Sequence, residues 1–423
     1  MDKTSNARVV ELTGHFFRHE YSKMVAVISR YFQTEDLNLA EDIVQDTLLE
    51  ALRHWEFNGI PPNPTAWLYT VARNKTLNTL KKAKLDRRFK MESSASNQPD
   101  PEEISIEDLF STQMVSDSLL QMMFVCCHPS LSSDSQVTLI LKTLCGLSIA
   151  EIAKAFVTST GTINKRLVRA RRTLKENNVK FEIPEDLIPR ISNVLKAIYL
   201  LFNEGYSATK GSQLIRYELC IEAIRLGKLI VDHPKGNNSE AQALLALMYL
   251  NSARFKARID KDGGMVDMSD QDRSAWNGHL INQGLLHLDE IRDKGEISIY
   301  HILATISAHH CVASSYEETD WSAILSLYDQ LLIFDHSPIV RLNRAVALAK
   351  VSGNQMAIQE LTQLESEEVL KSYFPLYATL ANLYMEEELF EKAAAHFERS
   401  LRLTDVAPEI KIITSRLAEC KNR

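Results

Sequence analysis

Cysteine, glycine and proline are all scarce in this chain, at 6, 14 and 12 of 423 residues. Six unevenly spaced cysteines do not make a disulfide framework, so free thiols are expected. So little glycine and proline points towards helix. Long apolar runs are missing too: the longest, 243–250, has eight residues, against about 20 for a membrane-crossing helix. Asp2 and Lys3 follow Met1, with neither an apolar core nor a small-residue cleavage site behind them. No secretory signal is read there, and a cytoplasmic location is expected. What is present is ordinary: 45% hydrophobic and 24% charged residues, a balance that builds a core and excludes a disordered or fibrous chain. At roughly 150 residues per domain, the length suggests two to four domains.

The net charge of −7 conceals an uneven distribution. Residues 1–183 carry 23 basic and 22 acidic side chains, which leaves 25 and 33 for the remainder, net −8. Within the first part the cations gather in two places. Residues 66–90 hold Arg73, Lys75, Lys81, Lys82, Lys84, Arg87, Arg88 and Lys90 against Asp86 alone, and residues 151–180 hold eight cations against Glu151 and Glu176. Between them, residues 92–110 are acidic, free of cations and rich in Ser, Asn and Pro, which reads as a flexible linker. A single basic cluster is usually a solvated helix face. Two clusters on amphipathic helices, joined by a tether, suggest two footprints on one polyanion.

Residues 136–176 are the most informative. Val137, Ile140, Leu141 and Leu144 space a helix that stops at Cys145-Gly146. Ser148-Ile149-Ala150-Glu151 fits a capping box, and Ile152, Ala153 and Phe156 give a short second helix its buried face. After a turn at 157–161, Ile163, Leu167, Ala170 and Leu174 form the apolar stripe of a third helix, while Lys165, Arg166, Arg169, Arg171 and Arg172 project elsewhere. This is a helix-turn-helix with a basic recognition helix. A helix fits the major groove, its first turns reach base edges, and later cations neutralise phosphates.

Upstream, residues 39–49 form a helix with Asp42, Gln45, Asp46 and Leu49 on one face and Ile43, Thr47 and Glu50 on another. The acid-rich stripe suits a basic protein partner. Beyond a Pro-rich loop at 60–64, a helix from Thr65 carries Trp67, Tyr69, Asn74 and Lys75 ahead of the basic run. Aromatics beside cations suit unpaired bases, which stack on rings while phosphates meet charge. Trp67 taken alone is better read as a core anchor.

Ala40-Glu41-Asp42-Ile43-Val44-Gln45-Asp46, then Ala66-Trp67-Leu68-Tyr69-Thr70-Val71-Ala72-Arg73-Asn74-Lys75, and finally Gly161-Thr162-Ile163-Asn164-Lys165-Arg166-Leu167-Val168-Arg169-Ala170-Arg171 resemble, in order, motifs of extracytoplasmic-function (ECF) RNA polymerase sigma factors. The resemblance implies an all-α protein. Residues 1–91 would be a sigma-two domain that docks on core RNA polymerase through Asp42, Gln45, Asp46 and Leu49 and meets the minus-ten element through Trp67, Arg73, Asn74 and Lys75. Residues 92–114 would be the acidic linker, threaded into the polymerase channel. Residues 115–182 would be a sigma-four domain reading the minus-35 element through Thr162, Asn164, Lys165, Arg166, Arg169 and Arg171. Asn164 and Lys165 depart from what family members often carry, so promoter preference is not carried over. The family usually stops near residue 180. Cys126-Cys127-His128-Pro129 and Leu201-Phe202-Asn203-Glu204-Gly205-Tyr206-Ser207-Ala208 are similar to a subgroup with a tetratricopeptide-like extension, here 183–423.

In that extension, Tyr377, Leu380, Ala381 and Tyr384 followed by Ala393 and Phe397 match tetratricopeptide spacing, and Ala357 with Leu361 sits one repeat earlier. Such stacks offer a concave surface for a protein or peptide partner, and the negative charge suits a basic one, including the two clusters of the same chain. No cofactor is expected. Cys126-Cys127-His128 and His309-His310-Cys311 place neighbouring side chains about 100° apart on a helix, which does not close on one ion. Asp260-Lys261-Asp262-Gly263-Gly264 departs from a calcium loop, and Gly205 is read as a helix-end turn. No catalytic device accompanies these motifs. Two rivals remain at this stage: a free-standing helix-turn-helix regulator and a tetratricopeptide-like adaptor.

Overall fold

The computed structural model describes residues 3–31, 37–88, 108, 110–156, 158–183, 188–207, 214–261, 263–294 and 297–423. The fold is all-α: among these residues regular structure is helical, with one isolated bridge between Ile259 and Met265. Two compact units divide the chain, Met1–Leu201 and Phe202–Arg423. The first therefore runs past the boundary read at 182, because the helix Ile188–Tyr206 begins by packing on it: Arg190 donates to the Phe124 carbonyl at 2.9 Å and Asn193 to Gln136 at 2.7 Å.

The first unit is built on α1 (Lys3–Tyr31), which packs against α2 (Leu37–Asn58), α3 (Pro64–Arg88) and α4 (Thr112–Cys126). Met24, Val25, Ala26, Val27 and Ile28 are wholly buried, five residues in succession. A helix enclosed on every side must be apolar on every side, which is why the sequence drops its amphipathic period there. Helix α4 starts at Thr112, inside the stretch read as linker, because Ser111 caps it by accepting from the Met114 amide. The acidic run itself, residues 92–107, lies outside the described residues; at its end Phe110 stacks on Tyr69, rings 3.9 Å apart and 15° from parallel.

Glu20 on α1 holds α3 in place. Its carboxylate accepts from the Tyr69 hydroxyl at 2.5 Å and lies 3.1 Å from both His19 Nδ1 and Lys23 Nζ. Burial pushes its pKa up, but His19, Tyr69 and Lys23 together overcome that and bring it down to about 2 from 4.5. A carboxyl depressed on folding stabilises the protein above its unfolded pKa and loses that contribution as pH falls through the folded one, here from about 4.5 towards 2. At about 1.4 kcal/mol per unit, on the order of 3 kcal/mol is at stake. Glu20→Gln is accordingly expected to flatten the acid limb of the first unit's unfolding between those pH values, followed by circular dichroism.

Helices α5 (Ser133–Thr143), α6 (Ile149–Ala155) and α7 (Thr160–Glu176) complete the unit. Gly146 makes the turn after α5 with φ +62°, and a Cβ there would meet Arg18 Cγ at 2.7 Å. Both halves of the capping box are made: Glu151 N–H to Ser148 Oγ, 3.2 Å, and Ser148 N–H to Glu151 Oε2, 2.6 Å. Helix α7 begins at Thr160, so Gly161 lies in its first turn and not in the preceding loop.

The last residues of α8 (Ile188–Tyr206) open the second unit, which continues with α9 (Tyr217–Asp232), α10 (Ser239–Ser252), α11 (Gly278–Glu290), α12 (Ile299–Val312), α13 (Trp321–Phe334), α14 (Pro338–Ser352), α15 (Asn354–Leu364), α16 (Phe374–Glu386), α17 (Phe390–Leu401) and α18 (Ala407–Lys421). Consecutive helices pack on one another, α14 with α15 and α16 with α17 among them. Ala357, Leu361, Tyr377, Leu380, Ala381, Ala393 and Phe397 are all buried, in cores where small alanines let neighbouring helices approach. Gly205 is the penultimate residue of α8, at the helix end as the sequence suggests, but without the positive φ of a glycine turn. A Cβ there would meet Cys220 Sγ at 2.7 Å and the Cys220 amide nitrogen at 2.8 Å, so its role is close approach of α9.

Candidate nucleic-acid interface

Recognition helix α7 is set by its caps and its buried stripe. Ser159 accepts from the Thr162 amide at 3.1 Å, and Ile163, Leu167, Ala170 and Leu174 face the core formed with α5 and α6. That leaves Thr162, Asn164, Lys165 and Arg169 exposed along the opposite side, beside Val168. A helix with polar side chains in its first turn and cations behind them has what a major groove requires.

The other two cations assigned to the minus-35 element are engaged within the protein. Arg166 lies 3.2 Å from Asp134, 3.3 Å from Thr138 Oγ1 and 5.0 Å above the Phe156 ring, so it ties α7 to α5 and to the end of α6. Arg171 turns the other way and binds Glu41 on α2 at 2.6 Å, with side chains only 14% and 6% exposed. Glu41 also accepts from Thr143 Oγ1 at 2.9 Å. Burial, partly offset by Glu41, lowers the nearby Lys142 pKa, while burial and then Glu41 raise that of Tyr21. Arg30 on α1 reaches Ser118 Oγ at 3.4 Å and Asp117 at 3.9 Å on α4. A cavity of about 180 Å³, lined by Phe17, Arg18, Tyr21, Gln45, Leu48 and Lys142, runs beside this seam.

On α2, Asp42, Gln45, Asp46 and Leu49 are exposed on one face, as the spacing required. The structure extends this face with Leu52 and Phe57, 45% and 84% exposed, which sequence reasoning did not single out. Their signal was positional: both fall within about 80° of Asp42 at 100° per residue. Ile43 and Thr47 are buried, but Glu50 is not; it is exposed and pairs with Lys75 Nζ at 2.9 Å. Lys75 also donates to the Asp46 carbonyl at 3.1 Å, so it clamps α3 to α2.

Trp67 is half-buried, 5.6 Å from Trp55 and 5.3 Å from His54, on the edge of an aromatic cluster with Phe16 and Phe17. Asn74 is exposed and Arg73 half-buried on the same helix. Lys81 and Lys82 are exposed further along; the side chains from Ala83 to Arg88 and Lys90 lie outside what is described. Cys126 and Cys127 are buried, with thiols pushed up by burial. Among the described residues no group of three His, Cys, Asp or Glu is arranged to hold a metal, and no helix is long and apolar enough to cross a membrane.

Comparison with known proteins places families on this geometry. Residues 16–85 match Sigma-70 region 2 and residues 121–174 match Sigma-70 region 4. Residues 190–292 match a family of unknown function, DUF6596. A Rhizobium meliloti protein known as Uncharacterized protein R00370 is 33% identical over 395 residues, covering 93% of this chain and 92% of its own. The ECF RNA polymerase sigma factor SigL of Mycobacterium tuberculosis is 32% identical over 182 residues, 41% of this chain and 94% of SigL. RNA polymerase sigma factor YlaC of Bacillus subtilis is 28% identical over 171 residues, 39% of this chain and 90% of YlaC.

Proposed function

Because the chain belongs to the ECF RNA polymerase sigma factors, which direct promoter-specific transcription initiation, we propose a division of that work among its parts. Thr162, Asn164, Lys165 and Arg169 read the minus-35 element. Trp67, Arg73 and Asn74 meet the minus-ten segment, and Lys75 braces the helix that carries them against α2. The acidic and apolar face of α2, Asp42, Gln45, Asp46 and Leu49 with Leu52 and Phe57, docks on core polymerase. The protein acts in the cytoplasm without catalysing a reaction of its own, and residues 183–423 bind a protein or peptide partner that tunes its activity. The observation that carries this reading is the pairing, in one compact unit, of a free recognition-helix face with a free acid-and-leucine face on α2.

Arg166 and Arg171 enter the reading differently from their neighbours. Arg166 supports the helix that presents Lys165 and Arg169. Arg171 belongs to a clasp: the two promoter elements lie about 25 base pairs apart, ~85 Å along B-DNA at ~3.4 Å per step, whereas Arg171 sits 2.6 Å from Glu41. Engagement of both elements requires the clasp to open, and Arg171 then becomes available to a phosphate. The test is in vitro transcription with core polymerase and the full-length chain. Specific initiation that appears only when the chain is added supports the reading, and unchanged start sites overturn it.

A further inference from the structure

The second unit contains a buried group of cations without counter-charges among the described residues. Arg254 and Arg258 follow α10 and are 8% and 9% exposed. Among the described residues the Arg254 side chain bonds the Gln271 amide oxygen alone, through two contacts of 3.3 Å, and lies 5.2 Å over the Trp276 ring. Arg258 donates to the Tyr206 carbonyl at 2.5 Å and lies 3.7 Å over the Tyr206 ring. Arg273 approaches the same Trp276 ring at 4.9 Å and donates to the carbonyls of His310 and Ala313 and to Thr319 Oγ1. Among the described residues none of the three forms an ion pair with a carboxylate. Glu317 acts on Arg273 only at longer range and is itself exposed.

Buried guanidiniums are ordinarily paired, since an uncompensated interior charge is costly. Two further groups at the cluster lack partners: Trp276 Nε1 and His310 Nδ1 are buried with no hydrogen bond. His310 is surrounded by the same charge. Burial first, then Arg254, Arg273 and His309, bring its pKa down to about 3, so the ring is neutral. The interior therefore supplies donors in excess of acceptors. Arg273, Tyr206 and Cys311 keep partial exposure, so the cluster communicates with solvent.

We infer that Arg254, Arg258 and Arg273, with Trp276, form a binding site for a small, multiply charged phosphate-bearing metabolite. Guanidiniums stacked on aromatic rings direct their N–H groups in plane, where those not already bonded within the protein suit tetrahedral oxyanions. Three adjacent positive charges call for an anion of charge −2 or more in a small volume, which a di- or polyphosphate supplies and a monocarboxylate does not. Nucleic acid is a poor occupant, since residues 184–423 carry 25 basic against 33 acidic side chains and Arg254 and Arg258 are recessed.

The test uses the full-length chain with inorganic pyrophosphate as the probe and sodium chloride of equal ionic strength as the reference. Pyrophosphate is expected to raise the second unit's melting temperature by several degrees beyond the salt reference and to bind by calorimetry. Arg254→Met is expected to abolish that increment without lowering the melting temperature in its absence, since the unpaired charge is gone. Arg254→Lys keeps the charge but loses the fork, and at least tenfold weaker binding is expected; it carries the test should Arg254→Met not fold. No increment over the salt reference, an equal increment in both variants, or an Arg254→Met chain that folds but melts lower without the probe would overturn the site. An equal or larger response to citrate would overturn the phosphate assignment.

Discussion

Reversing the two exposed cations of the recognition helix, Lys165→Glu together with Arg169→Glu, is expected to reduce promoter-specific transcript by about a hundredfold or more with core polymerase. Each base or phosphate contact is worth about 1–3 kcal/mol, and reversal replaces attraction with repulsion. Both side chains are exposed and on the side of α7 opposite its buried stripe, so the melting of the first unit should stay within about 0.5 kcal/mol of the parent. Promoter binding by the holoenzyme should also lose salt dependence, its log–log slope falling in magnitude by about 2. Arg166→Ala is the contrasting case. It removes the contacts to Asp134, Thr138 and Phe156 and should act first on stability. If the double reversal leaves transcript yield unchanged, α7 does not read DNA.

The second large effect is expected at the clasp. Glu41→Ala leaves the Arg171 guanidinium buried without its partner and Thr143 without its acceptor. Breaking one side of a buried pair costs about 3–5 kcal/mol, most of it the stranded charge. Removing both sides with Glu41→Ala and Arg171→Met should recover most of that loss, so a double-mutant cycle with Glu41→Ala and Arg171→Met as the single variants, on chemical denaturation of the full-length chain, should show strong positive coupling. Because the clasp must open for both promoter elements to be held, the double variant should form promoter complexes at lower concentration than the parent. Single variants that lose less than about 1 kcal/mol would mean that the seam is held elsewhere.

The helix-turn-helix was legible because its determinants are local. A capping box, a glycine turn and a four-three-four apolar stripe specify three helices within about 40 residues, and Ser148, Glu151, Gly146, Ile163 and Leu174 stand where those rules put them. The exposed stripe of α2 was legible for the same reason. Glu41 was not. It lies on the buried stripe of α2 with Leu37 and Val44, where a carboxylate is out of place, and its partner Arg171 is 130 residues away, which no period on α2 reports. Arg166 and Lys75 were read as DNA-facing because they are basic; their engagement with Asp134 and Glu50 depends on which helices pack together. Gly205 shows the same limit: its place at a helix end was legible, but that a side chain there would meet the Cys220 backbone at 2.8 Å depends on how α9 packs.

The stack of Phe110 on Tyr69 sets the reach of the molecule. Twenty-four peptide steps separate the end of α3 at Arg88 from the start of α4 at Thr112, a contour of about 80 Å at ~3.3–3.6 Å per residue. While the two rings stay together, Phe110 and the start of α4 are held beside α3. Once they part, the number of peptide steps alone limits how far α4 can move from α3. Each extra base pair in a promoter spacer draws ~3.4 Å from that contour, whereas a shorter spacer draws nothing. Tolerance of spacer length should therefore be lopsided, with over-long promoters failing abruptly and short ones losing activity gradually.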